Sequence, residues 1–221
     1  SNRDFSIVLD QAVTIAALIA LMRTLRAIDG QMKRDSDNAL PMTRQKMCLK
    51  LARHALSIIE KSHETRFMSD LEIFNPEIST INVLPNNLTQ LVELDFTKLD
   101  APSALMKASA AKIKNLVLVG QNRSMRLCFL ALPKDTAWPP GPPELTLPID
   151  ESVVEPICTW LTIAYEAALS IQAPIYQHGI LKINSELRLP FQRVLNPITP
   201  TDDRPAHFRV LSVASAIGGN A

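Results

Sequence analysis

Six of the chain's sixteen prolines fall between residues 133 and 148, with Trp138-Pro-Pro-Gly-Pro-Pro143 at the centre of the run. Proline fixes φ and has no amide hydrogen to donate, so neither a helix nor an interior strand passes through such a run. The fold must be built from what lies on either side of it. Residues 133–148 read as a stiff surface crossover from a strand to a helix, and a docking segment for another protein is the second use open to such a run.

After the run, Asp150 reads as the cap of a helix to about residue 171, with Glu151 and Glu155 favouring the helix dipole in its first turns. Pro156 marks a kink or a later start. Val154, Ile157, Cys158, Leu161, Tyr165, Ala168 and Leu169 form its inward stripe. Three strand candidates follow at 174–183, 187–196 and 206–216, separated by Asn184-Ser-Glu and by the proline-containing stretch 197–205, both rich in turn-forming residues. Before the run, 116–119 and 125–132 are apolar segments joined by Gly120-Gln-Asn-Arg-Ser, the pattern of a hairpin.

The first half is predicted to be helical. Ile7, Val8, Ile15, Leu18, Ile19, Met22 and Leu25 recur at helical spacing over 4–28, and Asp29-Gly30 supplies a stop. A second helix over 41–67 places Met47, Leu51, Ala55, Ile58 and Ile59 on one side and Arg44, Lys46, Lys50, Arg53 and Lys61 on a solvated face. The apolar surface of this helical hairpin requires cover from the rest of the chain or from a second copy, so homodimerisation through it is expected. Residues 71–84 suit a short strand, 87–99 a helix capped by Asn87 in preference to a strand at 91–96, and Pro102 opens a short helix to about 114. The chain thus divides into a helical region, 1–110, and an α+β domain, 111–221.

Composition narrows the partners. Lys and Arg number 23 against 22 Asp and Glu, and a formal charge of +1 offers no field for nucleic acid or anionic membrane. Aromatic content of 5% is too sparse for a base-stacking platform. Cys48, Cys128 and Cys158 are odd in number and widely spaced, which reads as buried reduced thiols in the cytoplasm. Residues 5–22 are apolar but contain Asp10, Gln11 and Thr14, short of the roughly 18 uninterrupted apolar residues of a membrane span. No basic region precedes them as in a signal peptide. The chain opens on Ser1-Asn2, which reads as an expression remnant or an excised piece of a longer protein.

No motif for catalysis is found. The chain has six glycines and no GxSxG, GxGxxG or phosphate loop. His54, His63, His178 and His207 form neither HExxH nor HxH, so no metal site is expected. Asp202-Asp203 reads as an Asx turn. An enzyme is the least favoured class, needing unlinked pairs such as His178 with Glu186. Tyr176 and His178, two apart on one strand, share a face where they could contact a ligand, and Arg193 and Arg209 could meet an anion.

The stretch Leu187-Arg-Leu-Pro-Phe-Gln-Arg-Val-Leu-Asn-Pro-Ile198, the turn Thr-Pro-Thr-Asp-Asp and His207-Phe-Arg-Val-Leu-Ser-Val-Ala-Ser215 resemble the end of PAS domains, especially divergent alphaproteobacterial ones. A GAF-like domain is the competing resemblance. The likeness covers 150–217, and the 110 N-terminal residues have no counterpart in it. It implies an α+β fold: a five-stranded antiparallel sheet, made of the hairpin and the three terminal strands, with the long helix across one face. It also implies a ligand cavity between helix and sheet, for which Trp160, Tyr165, Tyr176, His178, Phe191 and Arg193 are the candidates by position. No haem or flavin signature residue can be assigned, so the cofactor is left open. The expected function is a sensory module of bacterial signal transduction that binds a small molecule or relays a protein partner's state. The alternative is a protein-interaction scaffold using the N-terminal helices and the proline-rich connector.

Overall fold

The computed structural model describes residues 12–32, 41–62, 67–74, 91, 101–113, 116–122, 124, 126–132, 144–153, 155–182, 188–198 and 209–216. Their elements are α1 (Ile15–Met32), α2 (Pro41–Ser62), β1 (Phe67–Ile73), α3 (Ala101–Ala110), β2 (Leu116–Gln121) and β3 (Leu127–Ala131), followed by α4 (Ile149–Ser152), α5 (Ile157–Ile171), β4 (Ile175–Lys182), β5 (Arg188–Ile198) and β6 (Arg209–Ala216). The chain is α+β. Its sheet is antiparallel throughout, with strand order β1-β4-β5-β6-β2-β3.

The hairpin β2–β3 joins the three terminal strands through β2 and β6, in the register Leu118↔Leu211. The sheet has six strands where five were expected. The second helix, expected to end at residue 67, ends at Ser62. The sixth strand, β1, begins at Phe67 and overlaps the short strand expected over 71–84 at residues 71–73. Its period is two: Leu71 is buried, while Asp70 and Glu72 are exposed.

β5 carries Pro190 and Pro197 although it lies inside the sheet, where a proline normally forfeits a ladder hydrogen bond. Both stand where one neighbour is absent. Pairing with β6 reaches only Phe191, and pairing with β4 ends at Leu195. Both sheet edges are closed locally. At β1, Arg53 donates to the Leu71 carbonyl at 2.8 Å and pairs with Asp70, whose Oδ1 also accepts the Leu71 N–H. At β3, the Thr146 N–H donates to the Phe129 carbonyl at 2.9 Å. Satisfied edge groups leave no template for strand addition at those points.

α5 is apolar nearly all round, and twelve of its fifteen residues are buried, as expected of a helix enclosed between two layers. One side lies on the sheet. The other is covered by α1 and α2. Leu18, Met22, Leu51, Ala55 and Ile59 of the helical hairpin join Trp160, Leu161, Ile163, Phe191 and Leu195 in one core, where each large apolar side chain contributes about 1.5–3 kcal/mol. The expected division at residue 110 is therefore bridged by a shared core, and the apolar face of the hairpin is covered by this chain itself. The other sheet face carries a smaller core of Phe74, Leu91, Ala108, Ile113, Leu118, Tyr176, Val194 and Ile198.

Several boundaries differ from expectation. α1 begins at Ile15, because Thr14 caps it: its Oγ1 accepts the Ala17 N–H at 3.2 Å and its carbonyl the Leu18 N–H. It also runs through Gly30 to Met32. The helix expected from Asp150 is split into α4 and α5, since Pro156 disfavours helical backbone at the residue before it. α5 ends where Gln172 takes the left-handed conformation (φ 55°). Of the helix expected over 87–99 only Leu91 is described, and it is helical.

Gly179 faces Ser69 of β1 across the ladder. A Cβ built there would lie 2.1 Å from the Met68 carbonyl oxygen and 2.7 Å from the Ser69 Cα, both backbone atoms. Gly179→Ala must push β1 off β4, and it is expected to lower stability by about 2 kcal/mol, read as a fall in the urea midpoint.

Candidate functional site

Four of the six sequence-predicted pocket residues meet between α5 and the sheet. Arg193 lies opposite Gln177 in register and donates from Nε to Gln177 Oε1 at 2.6 Å. Gln177 donates to Ser69 Oγ at 3.0 Å, and Trp160 Nε1 donates to the same oxygen at 3.1 Å. The Arg193 guanidinium lies 4.7 Å from the Trp160 ring centroid and 5.3 Å from that of Tyr165. Phe191 meets Trp160 edge to face at 5.4 Å.

Arg193 is only 5% exposed, has no acidic partner among the described residues and leaves Nη2 without a hydrogen bond. Burial lowers its pKa, opposed by Tyr165. The two aromatic faces supply part of the missing stabilisation. These side chains fill the helix–sheet interface as core.

Tyr176 and His178 share a face as expected, with rings stacked at 5.3 Å and 24°. That face is the opposite one from Arg193. The Tyr176 hydroxyl donates to Gln192 Oε1 at 2.9 Å, and burial, with Glu72 adding to it, raises its pKa. His178 is half exposed, 3.6 Å from Glu72. The six candidates are therefore split into two groups by the sheet, because residues of opposite parity on a strand project to opposite sides.

Among the described residues no three His, Cys, Asp or Glu side chains converge on a metal position. No described helix is long and apolar enough to cross a membrane. His63, Glu186, Asp202, Asp203, His207 and residues 133–143 lie outside the described residues, as does the side chain of Arg209. The basic face of the second helix is only partly solvated: Arg44 is buried and donates to Gln172 Oε1 at 3.3 Å, and Arg53 serves the sheet edge.

The strongest electrostatic feature lies on the other side of α5. Glu166 has no exposed surface, and Arg23 and Arg26 of α1 meet it. Arg23 approaches Oε1 through Nε at 2.9 Å and Nη2 at 2.5 Å, and Arg26 Nη1 lies 3.5 Å from Oε2. Arg26 is itself buried, which lowers its pKa, with Glu166 opposing. Arg23 is 43% exposed and forms the outer part of the cluster.

Next to this cluster is an open cavity of about 720 Å³. Val13, Thr14, Ile15, Ala16, Ile19 and Arg23 from α1 and its cap form one wall. Arg126 and Leu127 before and in β3, Ile149 and Asp150 of α4, and Glu155, Cys158, Thr159 and Thr162 at the start of α5 form the facing wall, with Ile58 of α2. Arg126 is tied to Asp150 and Glu151 at 2.7 and 2.6 Å, and Thr159 donates to Glu155 at 2.8 Å. Burial and the neighbouring Glu155 push the Cys158 thiol up to about 12.

Sequence reasoning did not find this site. One signal was present: a single glutamate in the apolar run of α5 needs a cation, and Arg23 and Arg26, three apart on one helix, share a face. The cavity walls come from four separated segments, which no local pattern links. No family model matches the chain, and no curated protein or solved structure matches it.

The two buried arginine clusters should respond unequally to substitution. Glu166→Gln leaves Arg26 buried without its counter-charge and is expected to cost about 3 kcal/mol in urea unfolding, whereas Arg193→Met removes a cation that has no acid and should change stability by less than about 1 kcal/mol. The raised Cys158 thiol is almost wholly protonated at pH 8, so iodoacetamide should modify it in the folded protein at least tenfold more slowly than in urea.

Proposed function

We propose that this chain is a ligand-responsive regulatory module, of the PAS-like or GAF-like kind, in which a small molecule bound beside α1 sets how firmly the helical hairpin is seated on α5. Two arrangements support a sensor sheet: the hairpin β2–β3 pairs with the three terminal strands, and α5 crosses one face of that sheet. The observation that carries the reading is the double position of Arg23. It lines the cavity and also grips Glu166, so a molecule touching that wall meets the same side chain that holds α1 to α5.

The ligand site in this reading lies between α1 and α5 rather than between α5 and the sheet. A cavity of this size suits a small metabolite. A ligand that binds better when α1 is seated stabilises that arrangement by its difference in affinity for the two states, and couplings of this kind amount to about 1–3 kcal/mol. Buried reduced thiols suit a bacterial cytoplasm. Dimerisation, if part of signalling, uses a surface other than the covered apolar face of the hairpin.

Native mass spectrometry of the purified chain tests the reading. A retained small molecule is expected, together with slower amide hydrogen exchange over residues 18–26 when it is bound. A chain with no bound mass, and no thermal shift across a broad metabolite panel, would contradict it.

A further inference from the structure

The lining of the cavity beside α1 restricts what it can hold. Most of its lining is apolar, Val13, Ile15, Ile19, Ile58, Leu127 and Ile149 among it, and a charged group placed against these side chains would lose hydration without gaining a counter-charge. The arginines that line it are already engaged, Arg126 by Asp150 and Glu151 and Arg23 by Glu166. An anion would therefore meet no arginine whose charge is not already balanced by a carboxylate. A cation would find the acids of the lining, Glu155 and Asp150, already accepting from Thr159 and Arg126.

One polar group on the lining has no such engagement. Thr162 is one helical turn before Glu166 on α5, and its hydroxyl makes no hydrogen bond among the described residues. A hydroxyl at an otherwise apolar wall can donate to a carbonyl or accept from an alcohol.

We propose that the ligand of this cavity is an uncharged, mainly apolar molecule with a single alcohol or carbonyl oxygen, and that Thr162 takes that oxygen. This rests on the regulatory reading above for the place of the ligand, but it commits to a chemical class which that reading leaves open. The apolar body would lie along Ile15 and Ile19 on one wall and Leu127 and Ile149 on the other, and so bridge α1 to the sheet. Ala16 is exposed on the α1 wall, so a large side chain there can occupy the cavity without entering the core.

The test uses 1-octanol, octanoate and octylammonium as probes of one chain length and three charges, with binding to the full chain measured by saturation-transfer NMR and competition. Octanol should bind at least tenfold more tightly than either ion. Thr162→Val, of nearly the same shape, should weaken octanol about fivefold, the worth of one hydrogen bond. Ala16→Trp should abolish binding while circular dichroism and the urea midpoint stay unchanged. If an ion is preferred and Ala16→Trp still abolishes its binding, the chemical class is wrong and the site stands. If octanol binds equally to the Ala16→Trp protein, or no probe binds the unsubstituted chain, the cavity is not the site and the regulatory reading falls with it.

Discussion

A carboxylate on α5 with no exposed surface determines how the helices of this chain are arranged. Glu166 lies in α5, the helix enclosed between the sheet and the α1–α2 hairpin, and its charge is met from the hairpin side. Arg23 and Arg26 meet it there, which fixes both the rotation of α1 about its own axis and its position along α5. Apolar contacts from Leu18, Ile19 and Met22 would tolerate a shift of α1 by a turn; the ion cluster does not. A buried pair of this kind adds little net stability over an apolar replacement. Its consequence is positional, and the cavity beside it has α1 as one wall.

The sheet separates two chemistries. On the α5 side, Arg193, Gln177, Ser69 and the Trp160 indole N–H form a short polar chain inside a large apolar core. On the far side, Tyr176 and Gln192 pair beside a smaller core. Arg193 differs from Arg26 in one respect that matters: its charge is faced by aromatic rings and an amide rather than by an acid. It fills the helix–sheet interface that the PAS-like likeness would leave for a ligand, and the proposed ligand site is for that reason on the other side of α5. The regulatory reading then has an economical geometry, with site and transmitting helix sharing one side chain.

The secondary structure of the second half was largely legible. Strands β4, β5 and β6 alternate and are bounded by turn residues, and the hairpin before the proline run has two apolar arms around Gly-Gln-Asn-Arg-Ser. β1 was legible only in part: the short strand expected over 71–84 meets it at residues 71–73, while Phe67 continued the helical pattern of 41–67 and only seven residues carry the change of period. Gly30 misled as a stop, since the tertiary cover of α1 outweighs the modest cost of a glycine inside a helix. Strand position alone does not say which parity faces α5, so Tyr176 and His178, which do share a face, lie on the side of the sheet opposite Phe191 and Arg193. Glu166 and Arg26 were legible only in hindsight as partners, since 139 residues of chain separate two helices whose contact no periodicity announces.

The central claim is that Glu166 and the arginines of α1 are energetically coupled and that this coupling seats the hairpin. A double-mutant cycle between Glu166→Gln and Arg26→Met, each measured by equilibrium urea unfolding, tests it directly. The account predicts that the double variant is more stable than the sum of the single losses by at least about 1.5 kcal/mol, because removing both partners leaves no buried charge unmet. Additive losses, with a coupling near zero, would contradict it.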